Sequence, residues 1–475
     1  MKIRLLLYRI KQRIGRRSLS PTADLEAAMK RHGLEPDVVR SLRLMLISNL
    51  LGVICGNICA AGSSPMIGLA NDLGAGDLAF GILNAVPQVT VLLQIPAAML
   101  VNYTHRRKRY LLTYGIASRV LWLMVGLIPI LLPDKVSNLR MWALLFLVGI
   151  ASSLNALIQV SWFPWLGDLT PPAIRGTWLS TRDSINALVS IVSGLGTGFL
   201  MDHLPSYTRY VVLFAIGGAA GILDMLMYAG CKEVYLSEPV KPSIKALGSG
   251  IFDNSKFRHF LIFWTMWCFC ANFVGSYLNR YAVNELGITY TQMTLFGSIT
   301  SNIVSMIAVR IWSHLAIRYG FKPVLRIAAT GASLVQLLFM LARPHEVWPI
   351  MLYYGIGSIF WSGTNLVASN LQLSLTSDEN RAGALAVFGC VTALLGTFCG
   401  IMLGGSMLEL LEGKALPLSL NRYQCAILTA VVMRFTTAMV MIPGFENDRH
   451  FTTGDMLRDL LGIRKAKIVK TKDKE

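Results

Sequence analysis

Charged residues are scarce in this sequence, and acidic residues are the scarcer kind. Only 15% of the 475 residues are charged, whereas soluble chains carry about 25%. There are 26 acidic residues against 44 basic ones, and 54% of all residues are hydrophobic. Apolar runs of about 20 residues, each long enough to cross a bilayer, recur along the whole chain. This composition predicts a polytopic membrane protein.

The motifs of several function classes are also missing from the sequence. It contains no GxxxxGK[ST] loop for nucleotide phosphates, no HExxH or His-rich cluster, and no nucleophile elbow. The eight cysteines lie mostly inside apolar runs and form neither a CxxC pair nor a Cys/His cluster. We therefore expect no cofactor, no bound metal, no disulfide and no enzymatic activity.

The net charge of +18 is distributed unevenly along the chain. Most lysines and arginines lie in the two terminal tails and in the loops after even-numbered predicted spans. This asymmetry is the positive-inside signal, and it predicts that both termini are cytoplasmic and that the chain lies in the cytoplasmic (inner) membrane. We expect the basic charge to face anionic lipid head groups rather than nucleic acid.

Twelve membrane spans are predicted. Each is expected to be a helix, because backbone polar groups in lipid must be satisfied within the segment. A β-barrel is disfavoured because the apolar runs do not alternate with polar residues. The spans lie at 43–69, 78–101, 110–132, 141–166, 178–201, 209–230, 259–284, 291–312, 324–342, 349–373, 383–408 and 422–443.

The longest hydrophilic stretch between spans, 231–258, has two prolines, five basic residues and six spans on each side. It is typical of a cytoplasmic linker between two six-helix bundles. The predicted organisation is a basic amphipathic cytoplasmic tail, an N-terminal bundle, this linker, a C-terminal bundle and a basic cytoplasmic tail. Apart from the linker, the boundaries of these parts are 1–42, 43–230, 259–443 and 444–475.

Two stretches that lie 206 residues apart repeat one another. LTPPAIRGTWLSTRD, from Leu169, matches LTSDENRAGALAV, from Leu375, at its leucine, threonine and arginine, and the match continues as far as Gly198 and Gly404. A second echo links LVNYTHRRKRYLL with LAIRYGFKPVL, in the loops after spans two and eight. Because the echoes fall at equivalent places in the topology, we infer two halves repeated in the same orientation, an architecture known among transporters.

The twelve spans, the basic loops after spans two and eight and the P…RG turn after span four together resemble the major facilitator superfamily over residues 43–443. The best local match is SWFPWLGDLTPPAIRGTWLSTR, which is similar to a string in some bacterial members. The resemblance implies an all-α fold of twelve transmembrane helices in two pseudo-symmetric six-helix bundles that rock about one central site. The family's loop signature, G-x-L-x-D-R-x-G-R/K, is only partly kept in the two copies of the loop. Asn102 in the first copy and Ile317 in the second replace its aspartate.

An arginine turn follows span four. Pro171 and Pro172 end the helix because they lack the backbone N–H donor and because each keeps the residue before it out of the helical conformation. Arg175 can then pair with Asp168 or with the carbonyl end of a neighbouring helix. Such contacts would close the cytoplasmic side and break when it opens. Alternatively, the arginines only anchor the loops in the head groups. The gate candidates are Asp168, Arg175, Arg318, Lys322 and Arg381.

Among the charged residues inside predicted spans, we single out Arg119, Arg182, Asp183, Asp224 and Arg434, because a charge at the bilayer centre costs at least about 2.5 kcal/mol. We expect a buried cluster in which Arg119 and Arg182 are compensated by Asp183 and Asp224. The cluster either holds the first bundle together or couples transport to protons through Asp183 or Asp224. Arg434 has no intramembrane acid to match it in the second half, so it binds either an anionic substrate or backbone carbonyls and hydroxyls.

In the family's fold, spans one, four, seven and ten line the cavity, and here they carry amides and tryptophans. Asn155 and Gln159 are four apart and share one helix face, as do Trp361 and Asn365. Such a neutral lining suits polyols, sugars or amphipathic molecules. Alternatively, the amides only tie helices together and the tryptophans mark the interfacial belts. The cavity candidates are Asn57, Asn155, Gln159, Trp162, Trp264, Trp267, Asn272, Trp361 and Asn365.

The leading functional hypothesis is a secondary active transporter that moves a small solute by alternating access, driven by an ion or solute gradient. Its expected partners are a small-molecule substrate, anionic lipid and a proton or another coupling ion. The alternative is a membrane sensor or assembly factor that keeps the transporter fold without the transport cycle. The incomplete loop signatures keep this alternative open.

Overall fold

The structure is a computed structural model, and it describes residues 21–104, 106–133, 137–233, 254–375, 381–414, 416, 420–446 and 451–460. Every regular element among these residues is a helix, as expected for segments that satisfy their backbone groups internally in lipid. The basic amphipathic segment predicted at the start of the N-terminal tail and most of the 231–258 linker lie outside the described residues.

The chain divides into two compact units. Unit 1 comprises Met1–Leu73 and Leu92–Lys241, and unit 2 comprises Gly74–Val91 and Pro242–Glu475. The first half of span two, which the sequence assigns to the N-terminal bundle, is thus grouped with unit 2. The other predicted domain boundaries stay predictions.

Unit 1 contains a surface helix, the second half of span two, and spans one and three to six. The surface helix is Pro21–Arg31, and its Leu25 and Met29 are buried in the same apolar cluster as Trp178. The helices of the spans are Pro36–Cys59 with Ser64–Asp72 (span one), Gln94–Thr104 (second half of span two), Arg107–Leu131 (span three), Ser137–Leu169 (span four), Pro172–His203 (span five) and Ser206–Ala229 (span six).

Unit 2 contains the first half of span two, spans seven to twelve and a C-terminal helix. Spans eight and eleven each include a π-helical segment. The helices are Asp77–Thr90 (first half of span two), Ser255–Asn284 (seven), Tyr290–Thr294 with the π segment Leu295–Thr300 and Ser301–Tyr319 (eight), Phe321–Leu334 with the 3₁₀ segment Val335–Leu341 (nine), Trp348–Ser374 (ten), Arg381–Val391 with the π segment Thr392–Phe398 and Cys399–Leu410 (eleven), Arg422–Met441 (twelve) and Thr453–Leu460 (C-terminal).

Within the described residues, eleven helical segments are long and apolar enough to cross a membrane. They correspond to every predicted span except the tenth. The tenth helix, Trp348–Ser374, has 27 residues, but its asparagines, serines and glycines make it less apolar. The all-α membrane fold class is confirmed, and the count of twelve spans is supported approximately.

Local sequence signals set several helix ends in unit 2. Span eight begins with a capping box between Thr289 and Gln292, and span twelve begins with one between Asn421 and Gln424. Each box satisfies backbone donors that the first helical turn leaves unpaired. Gly320 separates spans eight and nine with a φ of +89°, a conformation that favours glycine because it has no Cβ.

Glycines of span eleven allow it to pack closely on span seven. A Cβ added at Gly404 would lie 1.7 Å from the Phe273 carbonyl oxygen, and one at Gly400 would lie 2.4 Å from that of Phe269. The two glycines are four residues apart and share one helix face. Their spacing therefore brings the two helix backbones together, as small-xxx-small sequences do in membranes.

Candidate functional site

Unit 1 contains a half-open cavity of about 290 Å³ between spans one, three, four and six. This volume is at the small end of the range for ligand pockets, roughly 300–1,000 Å³. Its lining is mixed, because apolar residues such as Leu111 and Ile158 alternate with amides and charges. The polar and aromatic lining residues used below are Asn49, Arg119, Asn155, Gln159, Trp162 and Asp224.

Two predicted amides in this cavity are available to a ligand. Asn155 and Gln159 both line it from span four, as their i, i+4 spacing requires. Within the part of the chain that the structure describes, neither side chain makes a hydrogen bond to another residue. Asn155 is half-buried and Gln159 is exposed, so both amide groups are accessible to a polar solute.

Two members of the predicted charge cluster meet in the wall of the same cavity. The Arg119 Nη2 atom lies 3.9 Å from Asp224 Oδ2, and the two side chains are 14% and 8% exposed. The Ser48 hydroxyl donates a hydrogen bond to Asp224 Oδ1. Gly52 and Gly221 make room for the pair, since a Cβ at Gly52 would lie 3.1 Å from Asp224 Oδ2 and one at Gly221 2.6 Å from Arg119 Cδ.

The other two members are not part of this buried pair, so the cluster of four does not form. Arg182 Nη2 lies 2.7 Å from Asp183 Oδ1, and the Asp183 side chain is 63% exposed. Arg182 also lies over the Trp162 ring, 5.7 Å from its centroid. The two residues are adjacent on one helix, and their mutual pairing at the surface compensates both charges without Asp224.

The remaining amide candidate of unit 1 ties helices together. Asn57 donates to the Ser193 hydroxyl at 2.7 Å and to the Ser190 carbonyl at 3.2 Å. It therefore joins span one to span five. Asn49, which lines the cavity, also donates to Asn186 of span five.

Arg175 contacts the carbonyl end of span four. Its Nη2 donates to the Gly167 carbonyl at 2.7 Å and to the Thr170 carbonyl at 3.1 Å. These carbonyls belong to the last turn of the helix, where backbone acceptors lack intrahelical donors. Asp168 and Arg381 lie in helices, but their side chains fall outside the described part of the chain.

Two gate candidates of unit 2, Arg318 and Lys322, contact residues at or after the end of span twelve. Arg318 Nη2 lies 2.5 Å from Asp459 Oδ2 of the C-terminal helix, and the Tyr319 hydroxyl also donates to Asp459. Met456 of this helix is fully buried. Lys322 donates to the Pro443 carbonyl at 2.7 Å.

This docked helix was not predicted, because the region was interpreted only as a basic tail. The T-x-x-D pattern of Thr452 to Asp455 is a capping-box signal that indicates a helix start. In the structure the Asp455 carboxylate indeed accepts from the Thr452 backbone at 2.9 Å. Arg318 therefore has a local partner within unit 2.

We expect the Asp459→Asn substitution to loosen the C-terminal helix. The Arg318 pair is partly exposed, so its loss should cost about 1 kcal/mol at most. This cost corresponds to a rise of up to about fivefold in the fraction of molecules whose C-terminal helix is undocked. The measurement is the maleimide labelling rate of Met456→Cys in a chain without the native cysteines. Glu446→Gln, which removes the exposed Lys256 pair, is the matched control and should leave the rate unchanged. Equal rates in all three proteins would contradict the docking role of Asp459.

Arg434 lies between two of the predicted cavity tryptophans. Its guanidinium carbon is 4.8 Å from the centroid of the Trp267 ring and 4.9 Å from that of Trp361. Nη1 donates to Gln336 Oε1 at 2.8 Å. The arginine is thus held by cation–π contacts and one amide, whereas the two alternatives from the sequence were an anionic substrate or backbone carbonyls and hydroxyls.

The other candidates of unit 2 have separate surroundings. Trp264 packs against Phe260 and Phe263. Asn272 donates to the Cys268 carbonyl of its own helix at 2.9 Å. Asn365 is exposed. Trp264 thus belongs to the same apolar cluster as Trp267 and Trp361, whereas the contacts of Asn272 and Asn365 do not place them beside Arg434.

A second charge cluster, centred on Asp77, was not predicted from the sequence. Asp77 Oδ2 lies 3.1 Å from Arg422 Nη1, and its Oδ1 accepts from the Tyr423 hydroxyl at 2.8 Å and lies 3.6 Å from Arg280 Nε. Arg422 Nη1 also lies 2.9 Å from Glu412. The cluster joins the start of span two to spans seven and twelve. Arg280 inside predicted span seven was the signal for it, because a charge within a span requires a partner.

Glu285 completes the Asp77 cluster in the loop after span seven. Its carboxylate lies 3.7 Å from Arg422 Nη2. Burial raises the pKa of Glu285, and the nearby Arg422 opposes this shift. Arg422 therefore lies within 4 Å of three carboxylates, those of Asp77, Glu285 and Glu412.

Comparison with known proteins gives the family. The sequence model of the Major Facilitator Superfamily matches residues 46–396, and a search of curated proteins gives no match. The nucleoside transporter NupG has a similar structure, with a TM-score of 0.59, 13% identity and coverage of 87% of this chain and 100% of that one.

Two further transporters have similar structures. The inward-open xylose transporter XylE from E. coli has a TM-score of 0.61, 14% identity and coverage of 87% of this chain and 98% of that one. An inward-facing bacterial homolog of the human lysosomal transporter Spinster has a TM-score of 0.61, 14% identity and coverage of 86% and 94%. At such identities these structures show the fold alone. The family match, which spans well over half of the 475 residues, shows that the chain belongs to the Major Facilitator Superfamily.

Proposed function

We propose that this protein is a secondary active transporter that moves a small neutral polar solute across the cytoplasmic membrane by alternating access. Membership of a transporter family supports the general activity. The observation that carries the proposal is the unit 1 cavity, in which the free amides Asn155 and Gln159 lie in one wall with the Arg119–Asp224 pair. Both termini are proposed to be cytoplasmic, from the distribution of basic residues.

The solute class follows from the chemistry of the cavity. Arg119 and Asp224 compensate each other, so the wall carries no net charge to select an ion. Free amides offer both donors and acceptors, which suits a hydroxyl-rich molecule such as a polyol, sugar or nucleoside. NupG is a nucleoside transporter and XylE a xylose transporter, and their similar fold supports this class of solute.

The test is counterflow of radiolabelled D-xylose and uridine into proteoliposomes. If either solute is carried, we expect Asn155→Ala/Gln159→Ala to raise its half-saturation concentration at least about tenfold, since two hydrogen bonds of about 1 kcal/mol each are lost. Asn57→Ala is the matched control, because Asn57 is already bonded to Ser190 and Ser193. It should lower thermal stability and leave the half-saturation concentration unchanged. An unaltered value in the double variant would contradict the assignment of the cavity.

Coupling to a proton gradient is proposed to involve Asp224. It is the acidic residue of the cavity wall, and intramembrane carboxylates commonly serve as proton carriers. Asp183, the other candidate, is exposed and paired with its neighbour, which favours Asp224. Arg119 would then be the partner that Asp224 releases and recovers during the cycle.

The alternative function is a non-transporting sensor or assembly factor. Two observations favour it. The loop signatures are incomplete, and Arg318, which belongs to the signature after span eight, pairs with Asp459 of the C-terminal helix. The discriminating test places cysteines at Asn84 and Asn302 in a chain without the native eight cysteines. Labelling that changes when solute is added supports a transport cycle, and constant labelling supports the alternative.

A further inference from the structure

We propose that Arg434 is the centre of a binding site for the carboxylate group of a small organic acid. The site lies within unit 2, where the guanidinium is enclosed by Trp267, Trp361 and Gln336. It goes beyond the transport proposal and does not depend on it, since a sensor could use the same site.

The unsatisfied atoms of Arg434 form one edge of its planar group. Nη1 is bonded to Gln336, whereas Nε and Nη2 are buried and have no hydrogen-bond partner among the described residues. The Nε–H and one Nη2–H bond of a guanidinium point in the same direction, and together they form the fork that binds a carboxylate through both oxygens. The free edge is thus the one that recognises a planar oxyanion.

No protein group compensates this charge. Across the described residues, no acidic side chain pairs with Arg434, in contrast to Arg119, Arg280, Arg318 and Arg422 of the same chain. The two indole rings attract the cation through their faces, but a ring face offers no acceptor in the plane of the guanidinium. Within the described part of the chain, the Trp267 indole N–H is also buried without a partner. Unpaired buried donors are rare in folded proteins, and a bound carboxylate would satisfy those of Arg434.

The two tryptophans differ in exposure, and this difference indicates the route of access. Trp267 is completely buried, whereas Trp361 is partly exposed. Their rings meet edge to face with centroids 5.9 Å apart. Rotation of Trp361 would open the guanidinium edge, and the aromatic walls favour an acid with an apolar or aromatic body. Gln336, itself buried, keeps the guanidinium plane in orientation.

The test is thermal denaturation of the purified full chain with sodium benzoate, sodium acetate or sodium chloride at matched ionic strength. A ligand that binds the folded state raises its apparent stability. We expect benzoate to raise the Tm more than acetate, and chloride to have little effect. Arg434→Met should abolish the response. Arg434→Lys keeps the charge but loses the fork, and should raise the half-saturating benzoate concentration at least tenfold.

The matched control is Arg326→Met, which removes a charge from span nine of the same unit, where Arg326 Nη2 lies 4.0 Å from the Met439 sulfur. It should keep the full benzoate response. The proposal is overturned if benzoate does not stabilise the parent, if chloride stabilises it equally, or if Arg434→Lys responds as the parent does. The lysine variant decides the matter even where Arg434→Met does not fold. None of these measurements requires transport, so this proposal and the transport proposal can fail separately.

Discussion

Replacing Asp77 by alanine should lower the free energy of unfolding by about 3 kcal/mol. Breaking a buried ion pair from one side typically costs 3–5 kcal/mol, because the partner charge stays buried and uncompensated. Asp77 is 2% exposed and serves Arg280, Arg422 and the Tyr423 hydroxyl at once. The lower end of the range applies, since Arg422 is partly exposed and keeps Glu412. The measurement is denaturant or thermal unfolding of the purified protein in detergent.

Glu412→Gln is the control for the Asp77 substitution. It removes another carboxylate from the same Arg422, at 2.9 Å, but the Glu412 side chain is 64% exposed. Pairs in contact with solvent contribute about 1 kcal/mol or less, so the effect should be much smaller. If both substitutions destabilise the protein equally, the charge of Asp77 does not hold the cluster together.

The second large effect is expected at Asp224. Asp224→Ala leaves the Arg119 guanidinium without its carboxylate in the wall of the cavity, and should cost about 3 kcal/mol of stability. The double variant Arg119→Met/Asp224→Leu removes both charges and should recover most of that loss, because replacing a whole buried pair with apolar residues is often neutral. A double variant as unstable as the single one would show that the pair is not the source of the effect.

Asp224→Asn separates the structural role of the pair from proton coupling. It keeps the shape and the acceptor for Ser48 but cannot release a proton. If Asp224 couples transport, solute exchange should continue while accumulation driven by a pH gradient is lost. An accumulation rate with the same pH dependence as in the parent, in this variant and in Asp183→Asn, would leave the pair with a purely structural role.

The fold could be predicted largely from the sequence, because lipid imposes simple requirements. Runs of about 20 apolar residues, the positive-inside loops and the repeated arginine turn all reflect the need for internally bonded, oriented helices. The tenth span shows the limit of hydropathy alone: Trp348–Ser374 is helical but less apolar. The first half of span two shows another limit, since its grouping with unit 2 depends on tertiary contacts that periodicity does not encode.

The site could be predicted best where residues are close in sequence. Asn155 and Gln159 share a cavity wall because helical spacing alone places them on one face. The pairing of Arg119 with Asp224 was also expected, from their similar depth in the membrane. Depth along a helix does not specify which face a residue occupies, so the exposed Arg182–Asp183 pair was wrongly placed in the same buried cluster. The Asp77 cluster and the Arg318–Asp459 pair join residues more than 100 positions apart, and no local signal specifies such pairings.

The π-helical segments of spans eight and eleven have a consequence for how sequence length can vary in these helices. A π turn accommodates one residue more than an α turn does over the same rise. Deleting a single residue inside Leu295–Thr300 or Thr392–Phe398 would convert the wide turn to a regular one and leave the flanking faces in register. A deletion elsewhere in either helix would rotate everything beyond it by about 100°, since an α-helix has 3.6 residues per turn. Each of these two helices can therefore lose one residue at its π-helical segment and keep the same faces in register.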